Sequence, residues 1–260
     1  FSPHDSNTLY IGGNIVFRTR DDGTTWEPIS PDLTRNDPTK LEIVGGPITI
    51  EGAEAEVYCT VYAFAESPLT PGLLWAGTDD GLVHVSRDGG GSWKDVTPPT
   101  IPEWTMIHSI DPSPHDAATA YVAATGFKND DFKPYLYKTN DYGETWQTIT
   151  GGIRDYDFTR VVREDPARRG LLYCGTETGV YVSADDGGYW ESLQINLPVV
   201  PIHDMLVKDN DLVAGTHGRS MWILDDLSPL RQFAESPSGD SPHLLRPRPT
   251  HRLLHQAPHF

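Results

Sequence analysis

The octapeptide TNDYGETW (139–146) has three relatives elsewhere in this chain of 260 residues. They are TRDDGTTW (19–26), SRDGGGSW (86–93) and SADDGGYW (183–190). All four follow the pattern hydroxyl, x, Asp, x, Gly, x, x, Trp, and each comes directly after a short alternating run that is typical of a β-strand. The pattern therefore predicts four hairpin turns, which we call the turn motifs.

The residue types in a turn motif suit a tight turn. Aspartate and hydroxyl side chains accept hydrogen bonds from nearby backbone N–H groups, and glycine adopts positive φ without steric cost. The tryptophan opens the next strand, and its burial between units is worth roughly 4–6 kcal/mol before entropy, from about 150–250 Å² at about 25 cal/mol per Å². The predicted structural residues are Asp21, Gly23, Trp26, Asp88, Gly90, Trp93, Asp141, Gly143, Trp146, Asp185, Gly187 and Trp190.

The segments around the motifs repeat as well. SPHDSNTLYIGG near the start is echoed by SPHDAATAYVAATG from residue 113, and the motif aspartates are 67, 53 and 44 residues apart. A fifth unit, DLVAGTHGRSMWILDD (211–226), keeps the strand pattern without the motif. Such repeats predict an all-β fold, a β-propeller of four-stranded antiparallel blades with about five blades present.

The predicted propeller domain covers 1–233, with blades near 1–30, 58–97, 105–150, 158–194 and 201–226. Residues 31–57 form an insert, and the Pro/His/Arg-rich segment 234–260 is interpreted as a tail or linker. The first unit has no innermost strand. Three arrangements stay open: a later segment closes a ring of five, further blades complete a larger ring, or two copies complete one another.

The turn motifs resemble the Asp-box, or bacterial neuraminidase repeat (BNR), of sialidases, sortilin-type receptors and xyloglucanases. Neighbouring stretches, including ISPDLTRNDP (29–38), WAGTDDGLVHVSRDGG (75–90) and THGRSMWILDDLSPLRQ (216–232), resemble the sortilin-like or BNR-repeat glycosyl hydrolases of bacteria. The resemblance covers residues 1 to about 233 and implies a propeller. It implies less about activity, because Asp-boxes lie away from the catalytic centres of the enzymes that carry them.

Composition limits the partners. A net charge of −17 and a pI near 4.8 disfavour nucleic acid, and no apolar run reaches the ~18 residues of a membrane span. Cys59 and Cys174 are interpreted as ordinary thiols. Without a zinc, phosphate-loop or calcium motif, we expect no metal and no cofactor. The chain starts at Phe1 inside a repeat, so we expect an export signal upstream and a periplasmic or extracellular location.

Blade geometry predicts where a ligand would bind. In an antiparallel blade the turn motifs share one face, which we call the motif face, and the glycine-containing loops and inter-blade connections share the opposite face. Charged and aromatic side chains from separate blades should converge on that opposite face. The predicted ligand-binding residues are Asp79, Trp104, Asp131, Arg160, His203, His217 and Arg219. The structural alternative is that Asp79 and Asp80 cap a tight turn, while His217 and Arg219 bond to loop carbonyls.

Two functions compete for this face. The first is a non-catalytic propeller that binds a protein or a glycan, as a scaffold or as part of a larger assembly. The alternative is a glycoside hydrolase, sialidase-like or endo-glucanase-like, with paired carboxylates about 5–9.5 Å apart. Its candidate catalytic residues are Asp80, Glu177 and Asp204. Arg160, Arg163 and Arg219 could form an anion site, but the Arg-Ile-Pro segment of sialidases is absent from the sequence. Without a complete catalytic set, the binding function is the main prediction.

Overall fold

A computed structural model describes residues 1–41, 58–235 and 244–249. These residues form five antiparallel sheets, numbered 1 to 5 along the chain. Sheet 1 contains β1 (Leu9–Gly12), β2 (Val16–Thr19) and β3 (Glu27–Pro28). Sheet 2 contains β4 (Val61–Glu66), β5 (Leu74–Thr78), β6 (Val83–Ser86) and β7 (Lys94–Asp95). Sheet 3 contains β8 (Met106–Pro112), β9 (Ala120–Gly126), β10 (Asp131–Thr139) and β11 (Gln147–Thr148).

Sheet 4 contains β12 (Thr159–Glu164), β13 (Leu172–Thr176), β14 (Val180–Ser183) and β15 (Glu191–Ser192). Sheet 5 contains β16 (Ile202–Lys208), β17 (Asp211–Thr216) and β18 (Met221–Leu224). The one α-helix of the described residues, α1 (Ser228–Glu235), follows sheet 5, and two 3-10 turns lie at Pro38–Lys40 and Phe127–Asn129.

The innermost strands β4, β8, β12 and β16 contact one another in turn around a common axis. This arrangement confirms the predicted all-β propeller, with four antiparallel strands in sheets 2, 3 and 4. Within the described residues, sheet 1 has no innermost strand, as expected, and sheet 5 has no short fourth strand of the kind that follows a turn motif elsewhere. The fourth strand is thus absent from sheet 5, the unit whose sequence has no motif.

The core lies between successive sheets. Separate clusters of buried apolar side chains join sheets 1 and 2, sheets 2 and 3, sheets 3 and 4, and sheets 4 and 5. Helix α1 adds Ala234 to the last of these clusters, which also holds Leu227 from the loop before it. Each blade is therefore stabilised mainly by its neighbours, because burying apolar area on the adjacent sheet is the main favourable contribution to its stability.

The turn motifs form the hydrogen bonds that their residue types predict. In the copy at 139–146 the hydroxyl of Thr139 donates to the Asp141 carboxylate over 2.8 Å, and the backbone N–H of Thr145 donates to the same carboxylate over 2.9 Å. Gly143 has a φ of 85° and donates its N–H to Thr139 Oγ1 over 2.9 Å. The other three copies repeat these bonds, so each motif aspartate is occupied by the turn itself.

The four motif tryptophans differ in exposure and in the hydrogen bonds of their indole groups. Three of them donate their indole N–H to a backbone carbonyl of the preceding sheet, and Trp190 is 1% exposed. Trp26, in sheet 1, is 39% exposed, and no preceding sheet contacts it among the described residues. The first and last sheets therefore form the two ends of an arc, and sheet 5 exposes Leu206, Met221 and Ile223.

Two predicted segments are described only in part. Within the predicted insert, residues 42–57 lie outside the described residues, while residues 31–41 pack beside sheet 2 through hydrogen bonds from Arg35 to Asp80. In the predicted tail only residues 244–249 are described, and Arg246 pairs with Gln232 of α1. The described residues contain no helix long and apolar enough to cross a bilayer.

Candidate functional site

Each of the four innermost strands carries a β-bulge near its start. The pairing register shifts between Val61 and Ala63, Ile107 and Ser109, Thr159 and Val161, and Ile202 and Asp204. A bulge leaves one residue out of the ladder and re-aims its side chain. The residues left out are Tyr62, His108, Arg160 and His203, which we call the bulge residues. The same device therefore operates at the same place in four blades.

The bulge residues meet at the axis. The rings of Tyr62 and His108 are 5.3 Å apart, and those of His108 and His203 are 6.1 Å apart. His217, from the loop after β17, extends the line at 4.7 Å from His203. A cavity of 350 Å³ lies between the innermost strands and is lined by Tyr62, His108, His203 and Asp204 among others. We call this cavity with its four aromatic rings the axial site.

Arg160, the remaining bulge residue, lies on β12 of sheet 4. It is 8% exposed, and its Nε and Nη2 donate to the Oε2 of Glu177 over 3.0 and 2.7 Å. Its guanidinium lies 4.9 Å from the ring centroid of Phe158 and 5.5 Å from that of Phe127. The aromatic rings and the carboxylate hold this cation in a fixed position, as expected for a planar guanidinium that both stacks and forms hydrogen bonds.

The histidines of the axial site favour the neutral form. Burial lowers the pKa of His108 to about 4, and the neighbouring Arg160 and His203 act in the same direction. Burial also lowers the pKa of His203, followed by the effects of Arg160 and His217. Neutral imidazole has one N–H donor and one acceptor nitrogen, so this pair offers both to a ligand.

Arg163 also lines the cavity of the axial site. Its Nη2 donates to Asp204 over 2.7 Å, its Nε donates to the carbonyl of Met205 over 2.8 Å, and its Nη1 lies 3.7 Å from Asp111. Burial raises the pKa of Asp111 to about 6, although Arg163 opposes this shift. Arg163 thus bonds β12 to β16 and is committed to carboxylates of this chain.

The three candidate catalytic carboxylates lie in different settings. Asp80 is fully buried, and its carboxylate accepts the backbone N–H of Arg35 over 2.7 Å. Glu177 is paired with Arg160, and Asp204, whose side chain is 72% exposed, is paired with Arg163. Glu177 and Asp204 therefore lie near the axial site, whereas the setting of Asp80 favours a role in fastening the insert.

The predicted ligand-binding residues also fall into two groups, those at or beside the axial site and those elsewhere. His203 and His217 belong to the axial site, and Arg160 acts on its histidines from beside it. Asp79 is 7% exposed and caps the segment before β4 by accepting the N–H groups of Cys59 and Thr60, while burial raises its pKa.

The other three predicted ligand-binding residues lie in loops. Trp104 packs edge-on against Tyr58, and Asp131 accepts a hydrogen bond from the hydroxyl of Tyr135. The backbone N–H of Arg219 donates to Thr216 Oγ1, and its carbonyl accepts the indole N–H of Trp222. The predicted anion site of Arg160, Arg163 and Arg219 stays a prediction; in the structure Arg160 is paired with Glu177 and Arg163 with Asp204.

Sequence reasoning missed Tyr62 and His108. Their signal is visible once the innermost strands are aligned by their starts: Val61-Tyr62-Ala63, Ile107-His108-Ser109, Thr159-Arg160-Val161 and Ile202-His203-Asp204. In each triplet the middle residue is large and polar or aromatic. Within the described residues no group of three or more His, Cys, Asp or Glu side chains is arranged to hold a metal ion.

Comparison with known proteins adds to this picture. No protein-family model matches the chain. An oligoxyloglucan-reducing end-specific xyloglucanase of Emericella nidulans is 25% identical over 200 residues, which cover 60% of this chain and 24% of the enzyme. A xyloglucanase of Paenibacillus sp is 23% identical over 171 residues, covering 56% of this chain and 17% of the enzyme. The chain thus spans at most about a quarter of these relatives.

Solved structures show the same fold. The GH74 xyloglucanase from Xanthomonas campestris matches with a TM-score of 0.61 and 17% identity, over 88% of this chain and 37% of the enzyme. An ancestral GH74 enzyme matches with a TM-score of 0.60 and 20% identity, over 83% of this chain and 26% of the enzyme. The chain has a β-propeller fold of the kind found in these glycoside hydrolases.

Proposed function

We propose that this chain is the sugar-binding propeller segment of a glycoside hydrolase that acts on a β-glucan such as xyloglucan. The observation that carries the proposal is the convergence of Tyr62, His108 and His203, from three different blades, on one axial cavity. The comparisons favour the hydrolase over the scaffold, because the named relatives are enzymes. The main prediction of a non-catalytic module is therefore not supported.

The axial site suits a neutral sugar. Aromatic rings pack against the C–H faces of a sugar ring, and a side chain with an apolar body and a polar tip does so at low entropic cost. Tyr62 is 52% exposed, so its ring is open to such a contact. The neutral imidazoles of His108 and His203 provide hydroxyl groups with both donors and acceptors, which is the mixture that small polar ligands require.

Catalysis needs a carboxylate and a carboxylic acid on either side of the scissile bond. Asp204 and Glu177, each paired with a guanidinium, are the candidates for the carboxylate. Asp111 lies 3.7 Å from Arg163, in a neighbouring cavity that Arg163 also lines, and its raised pKa of about 6 suits the protonated partner. We propose Asp204 as the base or nucleophile. An enzyme acting on a polysaccharide also fits the predicted periplasmic or extracellular location.

Binding and turnover are tested separately. In affinity gel electrophoresis with xyloglucan in the gel, the wild-type chain should be retarded, and Tyr62→Ala and His203→Ala should weaken its binding about tenfold, the loss of roughly one good contact. The control is Tyr189→Ala, a 58% exposed tyrosine of the last turn motif, which should migrate like wild type. Equal mobility with and without xyloglucan would overturn the proposal. Release of reducing ends, lost in Asp204→Asn, tests the catalytic assignment.

A further inference from the structure

A group of cations and aromatic rings lies on the same face as the axial site, at the connections before β4 and β8 and the loop between β9 and β10. The rings of Tyr58 and Trp104 meet edge-on with centroids 5.5 Å apart. Lys40 Nζ and the Arg35 guanidinium lie 5.3 and 5.6 Å from the centroid of Trp104, and Lys128 Nζ lies 5.6 Å from that of Tyr58. We call these five residues the cationic cluster.

The backbone at the cluster is held in unusual conformations. Trp104 has a φ of 63° and Cys59, next to Tyr58, has a φ of 77°, both in the left-handed region that bulky side chains rarely adopt. Asn129 donates its side-chain amide to the carbonyl of Trp104 over 2.9 Å. Backbone strain of this kind persists where the surrounding structure fixes the geometry of a site.

The charges of the cluster contrast with those of the chain. The net charge is −17, yet neither Lys40 nor Lys128 has a carboxylate within 4.0 Å among the described residues. The Arg35 guanidinium donates to the carbonyl of Asp80, and the carboxylate with which it pairs among the described residues is that of Glu103, at 3.6 Å, on a side chain that is 76% exposed. Among the described residues, the two ammonium groups therefore lie against aromatic rings with donors left for another group.

We propose that the cationic cluster binds a carboxylate of an acidic polysaccharide, with a sugar ring packed against the edges of Tyr58 and Trp104. Ammonium and guanidinium groups form their strongest hydrogen bonds with carboxylates and similar anions. The choice of a polysaccharide rests on the proposed function, because the cluster and the axial site share one face. The cluster thereby gives the protein a preference for substrates that carry acidic side groups.

Matched polymers test this inference on the whole chain. Carboxymethylcellulose and hydroxyethylcellulose share a β-1,4-glucan backbone, but only the first carries carboxylates. A protein of net charge −17 is repelled by an anionic polymer, so stronger retardation by carboxymethylcellulose requires a local cationic site. We expect this preference in low salt and its loss in about 0.5 M NaCl, where exposed charges are screened.

The double variant Lys40→Gln/Lys128→Gln should bind carboxymethylcellulose about fivefold to tenfold more weakly, as expected for two exposed charge contacts, and hydroxyethylcellulose as before. Lys208→Gln, which removes a lysine with a 70% exposed side chain from the end of β16, is the control and should change neither polymer. Unchanged melting temperatures would show that all variants fold.

The outcomes separate the two proposals. Equal binding of the two polymers, or a preference that survives in the double variant, would overturn the role of the cluster and leave the axial site untouched. Lysine-dependent binding to carboxymethylcellulose, with no binding of hydroxyethylcellulose or xyloglucan, would contradict the axial site alone. If polyglutamate competes as strongly as carboxymethylcellulose at equal charge, the ligand is an acidic peptide and the assignment to a polysaccharide is wrong.

Discussion

The indole nitrogen of Trp190 donates a hydrogen bond of 2.6 Å to the carbonyl oxygen of Ile149, the residue after the last strand of the preceding sheet. The same relationship joins Trp146 to Val96 and Trp93 to Ile29. Trp93, Trp146 and Trp190 therefore each fill space between two blades and also satisfy a carbonyl at the edge of the neighbouring blade. The turn motif is a device for joining blades, in addition to closing a hairpin.

Replacing Trp190 should be costly. Trp190→Ala should lower the free energy of unfolding by about 3–5 kcal/mol, because it removes a fully buried ring and leaves a cavity. Trp26→Ala is the matched control at the same motif position. With Trp26 39% exposed and at the open end of sheet 1, its loss should cost no more than about 1–2 kcal/mol. Urea denaturation at constant pH measures both, and equal losses would contradict the proposed role.

Glycine in the second strand allows the blades to approach. A Cβ on Gly175 would lie 2.6 Å from Val161 Cγ1 and 2.7 Å from Ile202 Cγ2 of the next sheet. We expect Gly175→Ala to lower the free energy of unfolding by about 1–3 kcal/mol, since the innermost strand of sheet 5 has to move away.

The control for this prediction is Gly215→Ala. Gly215 occupies the corresponding place in sheet 5, where no further described sheet packs, and its Cβ would meet nothing closer than Asp204 O at 3.5 Å. Thermal or urea unfolding should show little change for this variant. A loss as large as that of Gly175→Ala would show that another blade or another copy covers sheet 5.

The fold was predictable because its determinants are local. A hydroxyl, an aspartate, a glycine and a tryptophan at fixed offsets, as in Thr139 to Trp146, specify both the turn and the wedge within eight residues. The repetition of this motif along the chain then predicts that successive hairpins stack on one another as blades. The site was less predictable, because the direction of Tyr62 and His108 depends on a bulge in the pairing with another strand. Alternation along a single strand does not show where the pairing register shifts.

Asp79 and Asp80 illustrate the same limit. Their sequence, in a Gly-containing loop on the expected face, was equally compatible with a ligand-binding role and a structural one. Asp80 accepts the hydroxyl of Thr78 within its own loop, but the other donors are at Cys59, Thr60 and Arg35, between 19 and 45 residues away in sequence. The local sequence shows where the carboxylates are, but most of the groups that form hydrogen bonds with them come from distant parts of the chain.

Asp111 should make stability depend on pH. Burial raises the pKa of its carboxyl to about 6, above the value near 3.9 of the unfolded chain. Between these values the folded state binds more protons, so this group lowers the stability as the pH rises from about 4 to 6. Asp111→Asn removes the titration. The variant should gain stability relative to wild type over that interval in urea titrations, and a constant difference would contradict the raised pKa.

Arg160 should control the histidines of the axial site. The pKa values of His108 and His203 are lowered first by burial and then by this cation, so the folded state favours neutral rings. Their contribution to stability is complete above the unfolded value near 6.5 and is lost as the pH falls through the lowered values. In Arg160→Gln both pKa values should rise, which proton NMR of the imidazole rings measures directly. Arg154→Gln, an arginine with a 53% exposed side chain, is the control and should leave the two pKa values unchanged.

The same variant connects the electrostatics to binding. If neutral imidazoles contact the sugar, xyloglucan retardation should weaken as the pH falls through the pKa of His203, because protonation removes an acceptor nitrogen and places a charge near Arg160. In Arg160→Gln this decline should begin at a higher pH, in step with the NMR titration of His203. A decline that stays at the wild-type pH while the pKa moves would show that sugar binding does not depend on this ring, and the axial site would then lose its central contact.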